Sequence, residues 1–294
     1  MLIKTDALTR LYGSQRSVDS VSMHIDEGDI YGLIGRNGAG KTTLMRLLVG
    51  TARTNGGSVS FGGDLTPSSI GSLIENPGLF GGETARENLL RYMVAFGHEK
   101  PDVAEADRLL RLVNLDPASK KKAKQFSLGM KQRLGIAIAL IGNPKLLILD
   151  EPVNGLDPIG MREIREIVVS LNREGISFLI SSHLLDELSK IATKYGIMDG
   201  GKLLEETPAG DLSRKCENAY RVARSALPAD MGALAEIERL SDGDFTYFFP
   251  ADGDENAKAA IASLTSGESE AVRTPISIEE YFLLKLLFFF LLLI

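Results

Sequence analysis

The stretch "GRNGAGKTT", Gly35 to Thr43, is the most informative segment of this chain of 294 residues. It follows "DIYGLI", an apolar run typical of a buried strand, and it leads into "KTTLMRLLVG", whose pattern predicts a helix. Gly35, four further residues, Gly40, Lys41 and Thr42 form the pattern of a phosphate-binding loop, which chance produces in only about one chain in a hundred. We therefore expect a nucleotide site between this strand and this helix.

The phosphate-loop pattern predicts what its residues bind. Glycines allow the main chain to approach an anion, so the amides of residues 37–42 are expected to surround the phosphates. Lys41 is expected to lie along the β- and γ-phosphate oxygens, and Thr42 to bind Mg²⁺. The predicted nucleotide-binding residues of the loop are Gly35, Asn37, Gly38, Ala39, Gly40, Lys41, Thr42 and Thr43.

Two later strands end in groups that suit ATP hydrolysis. In "LLILDEP", an apolar run ends in Asp150, which suits the Mg²⁺ shell, and Glu151, which is placed to act as general base. In "SSHLL", His183 stands where the strand-like "ISFLIS" ends. A single histidine is more often a capping residue, but a shared sheet edge with Glu151 favours a γ-phosphate contact. The predicted catalytic residues are Lys41, Glu151 and His183.

A second phosphate site is indicated far along the chain. "QFSLGMKQRLGIAIAL", Gln125 to Leu140, is a serine and a glycine-containing turn that open an apolar helix, which is typical of an anion-binding helix N-terminus. A protein with one nucleotide loop has no evident use for a second, distant site within the same chain.

Composition narrows the class of protein. Hydrophobic residues make up 44% and charged residues 24%, as in ordinary globular proteins. The net charge of −6 argues against a nucleic-acid partner, and the basic run at residues 119–124 is typical of a solvated loop. The single Cys216 excludes an internal disulfide, and the first residues lack the apolar core of a signal peptide, so a cytosolic body is expected.

The order of segments predicts an α/β protein with a parallel sheet. Strand-like and helix-like segments alternate, with a wholly helical insertion at about residues 84 to 140. Alternation then resumes and includes "LLDELSKIATKYG" as a helix. After Asp211 the chain becomes rich in Ala and Asp, which predicts a small α+β appendage with weak strands and two short helices.

The tail "YFLLKLLFFFLLLI", Tyr281 to Ile294, is apolar apart from Lys285. As a helix it would be about 20 Å long, which is short of the ~30 Å hydrocarbon core of a membrane. A helix that lies on a membrane surface normally shows a polar face, which this segment lacks. Three interpretations stay open: a spanning helix, a surface anchor, or an extension read outside the natural frame.

Six motifs in this order resemble those of the ATP-binding subunit of an ABC transporter. They are Tyr12, "GRNGAGKTT", "FSLGMKQR", "LLILDEP", "GLD" and "SSHLL". Within that family, "SLIENPGLFGGETARENL" is similar to the bacitracin-resistance and lantibiotic-immunity exporter subunits. The resemblance implies a P-loop NTPase core at residues 1–210, with a RecA-like parallel sheet, an antiparallel β-subdomain and a helical subdomain at residues 76–140. An α+β domain at 211–280 and the apolar tail at 281–294 would follow.

The resemblance also implies a use for the second phosphate site. "SLGMK" corresponds to the family signature, in which Ser127 and Gly129 bind the ATP held by a second, facing subunit. Asp157 of "GLD" would contact that subunit, although it also suits the cap of a helix beginning at Pro158. Tyr12 would stack on adenine, although a tyrosine before a glycine is often only a packing residue of a turn.

The function implied by the resemblance is ATP hydrolysis that drives transport. The subunit would bind ATP and Mg²⁺, pair with a second subunit, most simply another copy, and drive a separate integral membrane permease from the cytoplasmic face of the membrane. Export of a peptide antibiotic or similar amphiphile follows from the subfamily. A soluble ABC-type ATPase acting on nucleic acid or ribosomes is the main alternative, but such proteins usually carry two cassettes or coiled-coil insertions. A regulatory module without turnover would lack Glu151 and His183.

Two departures from the family pattern stand out. The signature has Leu128 and Met130-Lys131 where the pattern has Gly and Gly-Gln, so Lys131 adds a positive charge near the phosphate. The strand-ending Gln that touches Mg²⁺ in the family is here Glu75. A carboxylate at that place either joins the Mg²⁺ shell or is held away from the γ-phosphate by repulsion.

Overall fold

The computed structural model describes residues 1–228, 232–264 and 271–291. The chain divides into two compact units, Met1–Glu206 and Thr207–Ile294. The division lies just before the boundary at residue 210 that the sequence predicts.

The elements of the chain follow one another in the order in which they are numbered. The strands are β1 (Ile3–Tyr12), β2 (Gln15–Val21), β3 (His24–Ile25), β4 (Ile30–Ile34), β5 (Gly56–Phe61), β6 (Gly71–Leu73), β7 (Leu146–Asp150), β8 (Ser177–Ser182), β9 (Lys194–Asp199), β10 (Lys202–Pro208), β11 (Tyr220–Ala223), β12 (Glu238–Ser241), β13 (Phe245–Phe249) and β14 (Val272–Arg273). The helices are α1 (Lys41–Leu48), α2 (Ala85–Ala95), α3 (Val103–Leu112), α4 (Leu128–Ala139), α5 (Pro158–Arg173), α6 (Leu185–Leu188), α7 (Ala209–Glu217), α8 (Glu255–Ala262) and α9 (Ile278–Leu291).

The main sheet has the strand order β10-β9-β4-β8-β7-β6, and the last five of these strands run parallel. Strands β4, β7 and β8 are buried along their whole length, which explains their continuous apolar runs. The prediction of an α/β protein with a parallel sheet is therefore confirmed. Because these three strands are neighbours, their carboxyl ends lie side by side at one edge.

A second sheet is antiparallel and covers helix α1. Strands β2, β3 and β5 all pair with β1. Leu44 and Met45 of α1 are fully buried in a hydrophobic cluster that also contains Ile25 of this sheet and Leu33 and Ile148 of the main sheet. Burial of these large side chains, at about 1.5–3 kcal/mol each, keeps the helix after the phosphate loop in a fixed position.

The insertion consists of α2, α3 and α4, so the prediction of a helical stretch is confirmed for these segments. Thr84 caps α2, because its hydroxyl accepts a hydrogen bond from Glu87 N while the Glu87 carboxylate accepts one from Thr84 N. The hydrogen bond from Thr84 N and that from Lys122 lower the pKa of Glu87 to about 2. Between α3 and α4 the chain forms a loop rather than a further helix.

The segment "LLDELSKIATKYG" differs from the sequence prediction. Its helix, α6, is a single turn, and β9 already begins at Lys194. The reason is tertiary: Tyr195 and Ile197 pair with β4 and are fully buried in the main sheet, which outweighs the helical spacing of the apolar residues.

The second unit is built on a four-stranded antiparallel sheet with the order β12-β13-β11-β14. Ile261 of α8 packs against Val222 and Phe248 of this sheet, and all three side chains are fully buried. The unit thus has its own hydrophobic core, as the prediction of an α+β appendage requires.

Helix α9 contains most of the apolar tail and packs against β12 and α7. Tyr281 is fully buried and makes an edge contact with Phe249. Glu238 of β12 accepts hydrogen bonds from Tyr281 at 2.9 Å and from Lys285 at 2.9 Å, and it pairs with Lys215 at 2.6 Å. The structure differs here from the sequence interpretation, which set residues 281–294 apart. Residues 292–294 lie outside the described part of the chain.

We expect the Glu238→Gln change to destabilise the second unit. Burial by itself raises the pKa of Glu238, but the hydrogen bonds from Lys215 and Lys285 outweigh it and hold the pKa at about 2. Because this pKa lies below the ordinary glutamate value of 4.5, the stabilisation is fully present above pH 4.5 and is lost as the pH falls toward 2.

Thermal unfolding at several pH values measures this effect. The variant should unfold at a lower temperature than the wild type at pH 7, and the difference should shrink below pH 4.5. Glu255→Gln is the matched control, since Glu255 is exposed and pairs with Lys258 of its own helix. An equal effect of both variants would contradict a special role for Glu238.

Candidate functional site

The phosphate loop connects β4 to α1 and depends on two glycines. Gly40 has φ of 102°, and a Cβ there would lie 2.1 Å from Ser17 O. A Cβ on Gly35 would lie 2.4 Å from Met198 O. Only glycine fits at these two places, so the loop presents bare backbone amides at the N-terminus of α1, which suits a phosphate group.

Lys41 is the buried cation of the site. The residue is only 6% exposed. Its Nζ donates a hydrogen bond to Gly35 O at 2.7 Å and lies 3.2 Å from Glu151 Oε1. A buried ammonium group without a partner is strongly unfavourable, so Lys41 and Glu151 hold each other in place.

Oxygen atoms from three elements, α1, β7 and β8, meet beside the loop. Thr42 Oγ1 donates to Asp150 Oδ2 at 2.7 Å, and Ser181 Oγ donates to Asp150 Oδ1 at 2.5 Å. Hydroxyl and carboxylate oxygens are the ligands that Mg²⁺ prefers, and in phosphate sites it takes only one or two of them from protein. Thr42 and Asp150 therefore fit the metal that the sequence assigns to them.

Glu151 is the centre of the predicted catalytic set. It follows β7 and has a backbone φ of 50°, a conformation that residues other than glycine rarely adopt. Its Oε2 lies 2.6 Å from His183 Nδ1, and its backbone N donates to Ser181 Oγ at 2.8 Å. The structure thus brings the predicted residues Lys41, Glu151 and His183 into direct contact. Strain retained at such a residue is typical of functional sites.

Glu75 lies at the same sheet edge but points to a different partner. Its carboxylate forms an ion pair with Arg46 of α1, and its backbone has φ of 66°. Of the two places that the sequence left open for this carboxylate, the structure favours the one away from Thr42 and Asp150.

The signature residues form a separate cluster. Ser127 caps α4 by accepting a hydrogen bond from Met130 N at 3.3 Å, and Asp157 caps α5 by accepting one from Gly160 N at 2.8 Å. Gly129 faces Leu156: a Cβ added to this glycine would lie 3.8 Å from the leucine side chain. Among the described residues, no hydrogen bond or ion pair connects this cluster with Lys41 or Glu151.

Tyr12 ends β1 and is 45% exposed, so it does not pack a turn in the protein interior. The guanidinium of Arg10 lies 4.5 Å from the centre of its ring. A cavity of about 430 Å³ adjoins the ring and is also lined by Arg46.

Sequence analysis did not predict that two residues, Ser181 and Arg46, belong to the site. Ser181 is fully buried and connects Asp150 to Glu151, yet in the sequence it is an ordinary polar residue near the end of a strand. Arg46 is one of several cations on helices. Only the register of β7 with β8, which pairs Asp150 with Ser181, shows the first of these contacts.

Comparison with known proteins identifies the family. The family profile described as "ABC transporter" matches residues 18–154. A bacitracin transport ATP-binding protein of Bacillus licheniformis is 47% identical over 222 residues, which cover 73% of this chain and 72% of that protein. The chain belongs to the ABC transporter family.

Further comparisons agree with this membership. A lantibiotic transport ATP-binding protein of Streptococcus pyogenes is 44% identical over 211 residues, which cover 70% of this chain and 90% of that protein. An ATP-binding cassette of an ABC transporter, solved in its ADP conformation, is 27% identical with a TM-score of 0.64 and covers 70% of this chain and 91% of that one. The resemblance stated from the motifs is confirmed.

Membership in the family makes this ABC protein an ATP-binding subunit with ATPase activity and the P-loop NTPase fold. Within the described residues, every helix is too short or too polar to span a lipid bilayer.

We expect Ser181→Ala to reduce both stability and turnover. The change leaves Asp150 Oδ1 and Glu151 N without their buried partner, which costs about 1–3 kcal/mol of unfolding free energy. Turnover of ATP should fall because the two acids lose their common support. Urea unfolding and steady-state ATPase assays measure these effects. Ser182→Ala is the control, since among the described residues the Ser182 hydroxyl forms hydrogen bonds with the backbone of Leu184 and with neither acid; equal losses in both variants would contradict the role of Ser181.

Proposed function

We propose that this subunit hydrolyses Mg²⁺-ATP at the edge formed by β4, β7 and β8, and that it works as a dimer bound to a membrane permease. The observation that supports the proposal most directly is the chain of contacts from Lys41 through Glu151 to His183. Thr42 and Asp150 stand beside this chain and supply the oxygen ligands that a metal requires.

The residues of the edge divide the work of phosphoryl transfer. The loop amides and Lys41 bind the phosphates, and Thr42 and Asp150 hold Mg²⁺, which neutralises phosphate charge when bound. Glu151 accepts a proton from the attacking water, with one oxygen oriented by Lys41 and the other by His183. His183 also contacts the γ-phosphate in this proposal.

Tyr12 completes the site where the adenine ring of the nucleotide would bind. Its exposed ring at the end of β1 is available for stacking on adenine. The neighbouring Arg10 lies over the ring and keeps it in place.

The separate cluster of Ser127, Gly129 and Asp157 supports a dimer. The N-terminus of α4 carries a positive partial charge, but in one chain no contact among the described residues joins it to the phosphate loop. A second copy arranged head to tail would bring Ser127 and Gly129 to the nucleotide held by the first copy. Asp157 would then face the partner subunit as well as capping its own helix.

An exposed aromatic surface supports contact with a permease. Phe80, Tyr92 and Phe96 form a row with ring centres 5.8 and 5.9 Å apart, and Phe96 is 58% exposed. Tyr92 and Phe96 line a groove of about 350 Å³ that also contains Glu75. Exposed aromatic clusters of this kind mark protein interfaces, and a helix from a cytoplasmic loop of the permease would fit here.

The class of transported compound follows from the relatives. Proteins that are 44–47% identical are named for the transport of bacitracin and lantibiotics. We therefore propose export of a peptide antibiotic or a similar amphiphile, with the subunit held at the cytoplasmic face of the membrane by its permease. The net charge of −6 agrees with a partner other than nucleic acid.

The Glu151→Gln change tests the catalytic role and the dimer together. Loss of the general base should reduce ATP turnover by about 10²- to 10⁴-fold while ATP still binds. Saturated with Mg²⁺-ATP, this variant should become a dimer in light scattering, and adding Ser127→Ala should return it to a monomer. Glu166→Gln, which changes an exposed acid of α5, is the control.

Two results would contradict this proposal. Wild-type turnover in the Glu151→Gln variant would remove Glu151 as the base. Dimer formation that is unaffected by Ser127→Ala would remove the contact of the signature with the partner's nucleotide.

The Phe96→Glu change tests the contact with the permease. A charge at the exposed end of the aromatic row should oppose burial against a partner, so the tagged subunit should move from the membrane fraction to the soluble fraction of its host cell. Val94→Glu is the control, because Val94 is also exposed on α2 but does not line the groove. ATP binding by both variants shows that they fold. If both variants stay in the membrane fraction, the groove is not the docking site.

A further inference from the structure

The ion pair between Arg46 and Glu75 joins two parts of the molecule that the proposed function keeps separate. Arg46 is on α1, the helix that begins at the phosphate loop. Glu75 follows β6 and lines the groove proposed for the permease. The Arg46 side chain also lines the cavity beside Tyr12. One guanidinium group therefore borders both the nucleotide side and the partner side of the protein.

Glu75 and Glu151 stand at corresponding places beyond the ends of neighbouring strands. Strands β6 and β7 pair with Leu73 opposite Leu149, so Glu75 and Glu151 each stand two residues beyond paired positions. Both have the left-handed conformation, with φ of 66° and 50°. From neighbouring strand ends, a side chain as long as glutamate can turn either toward Asp150 or toward α1.

Electrostatic repulsion makes it unfavourable for the Glu75 carboxylate to turn toward Asp150 unless a cation is present there. Asp150 and Glu151 already place two negative charges at this edge, and Lys41 is engaged with one of them. A third carboxylate would be repelled in the absence of metal but attracted by a divalent cation. In the structure, Arg46 resolves this conflict by pairing with Glu75.

We propose that Arg46 is a positioning residue that holds the Glu75 carboxylate on the groove side and away from the Thr42–Asp150 pair. The inference rests on the proposed function, because it assumes that Thr42 and Asp150 bind the metal.

Binding of Mn²⁺ to the purified ADP-bound subunit tests the positioning role without any turnover. Mn²⁺ is paramagnetic, and its bound fraction is measured by electron paramagnetic resonance. Arg46→Met keeps the apolar length of the side chain but frees Glu75, so it should tighten Mn²⁺ binding by about two- to fivefold, the range expected for an exposed ion pair. Arg46→Lys should restore affinity close to that of the wild type.

A double-mutant cycle separates positioning from an indirect effect. In the Glu75→Gln background, Arg46→Met should no longer tighten Mn²⁺ binding, because no carboxylate is left to release. Arg162→Met breaks an exposed ion pair with Glu166 on α5 and serves as the control for the loss of one charge. Increased salt should reduce the effect of Arg46→Met.

The possible results are distinguishable. The inference is overturned if Arg46→Met leaves Mn²⁺ affinity unchanged, or if it changes the affinity equally with and without Glu75. If the wild-type subunit with ADP does not bind Mn²⁺ at all, or if Asp150→Asn leaves its binding intact, the metal site of the proposed function is itself wrong.

Discussion

The buried ammonium group of Lys41 is the constraint on which the nucleotide site depends. Only 6% of the residue is exposed, so its charge must be balanced from within the protein. The balance comes from a loop carbonyl and from Glu151, which follows a strand far away in the sequence. The conformation of the phosphate loop and the position of the Glu151 carboxylate therefore depend on each other. His183 and Ser181, at the end of the neighbouring strand β8, hydrogen-bond to Glu151 in turn.

The order of strands in the main sheet makes this solution possible. Strands β4, β8 and β7 are neighbours, although long stretches of chain separate them. Their buried apolar runs fix the register, and β7 and β8 end in polar side chains at the edge where β4 leads into the phosphate loop. Burial of Leu44 and Met45 holds helix α1 in place, and Thr42 at the start of this helix contacts Asp150. Packing far from the nucleotide thus determines how well the polar groups meet.

The second unit shows how a tertiary contact changes the meaning of a segment. By its sequence, the tail is an apolar run with one lysine, and its position relative to a membrane stayed open. In the structure Lys285, Lys215 and Tyr281 all contact Glu238, while the apolar side chains around Tyr281 pack against the sheet. The lysine that interrupts the apolar run is, with Tyr281, one of the two residues through which the helix hydrogen-bonds to β12. Leu283 and Leu287 remain exposed on its outer face.

The sequence by itself determined the parallel α/β core, the helical insertion, and the family. The phosphate loop, the acids at the end of β7 and the signature helix are local patterns, which can be recognised in a sequence without knowledge of the fold. The contacts of Ser181 and the pairing of Glu75 with Arg46 were decided only by the tertiary structure. Each depends on the register of neighbouring strands or on a helix packed across a strand end, and these relations between distant residues leave no periodic or compositional signal in the chain.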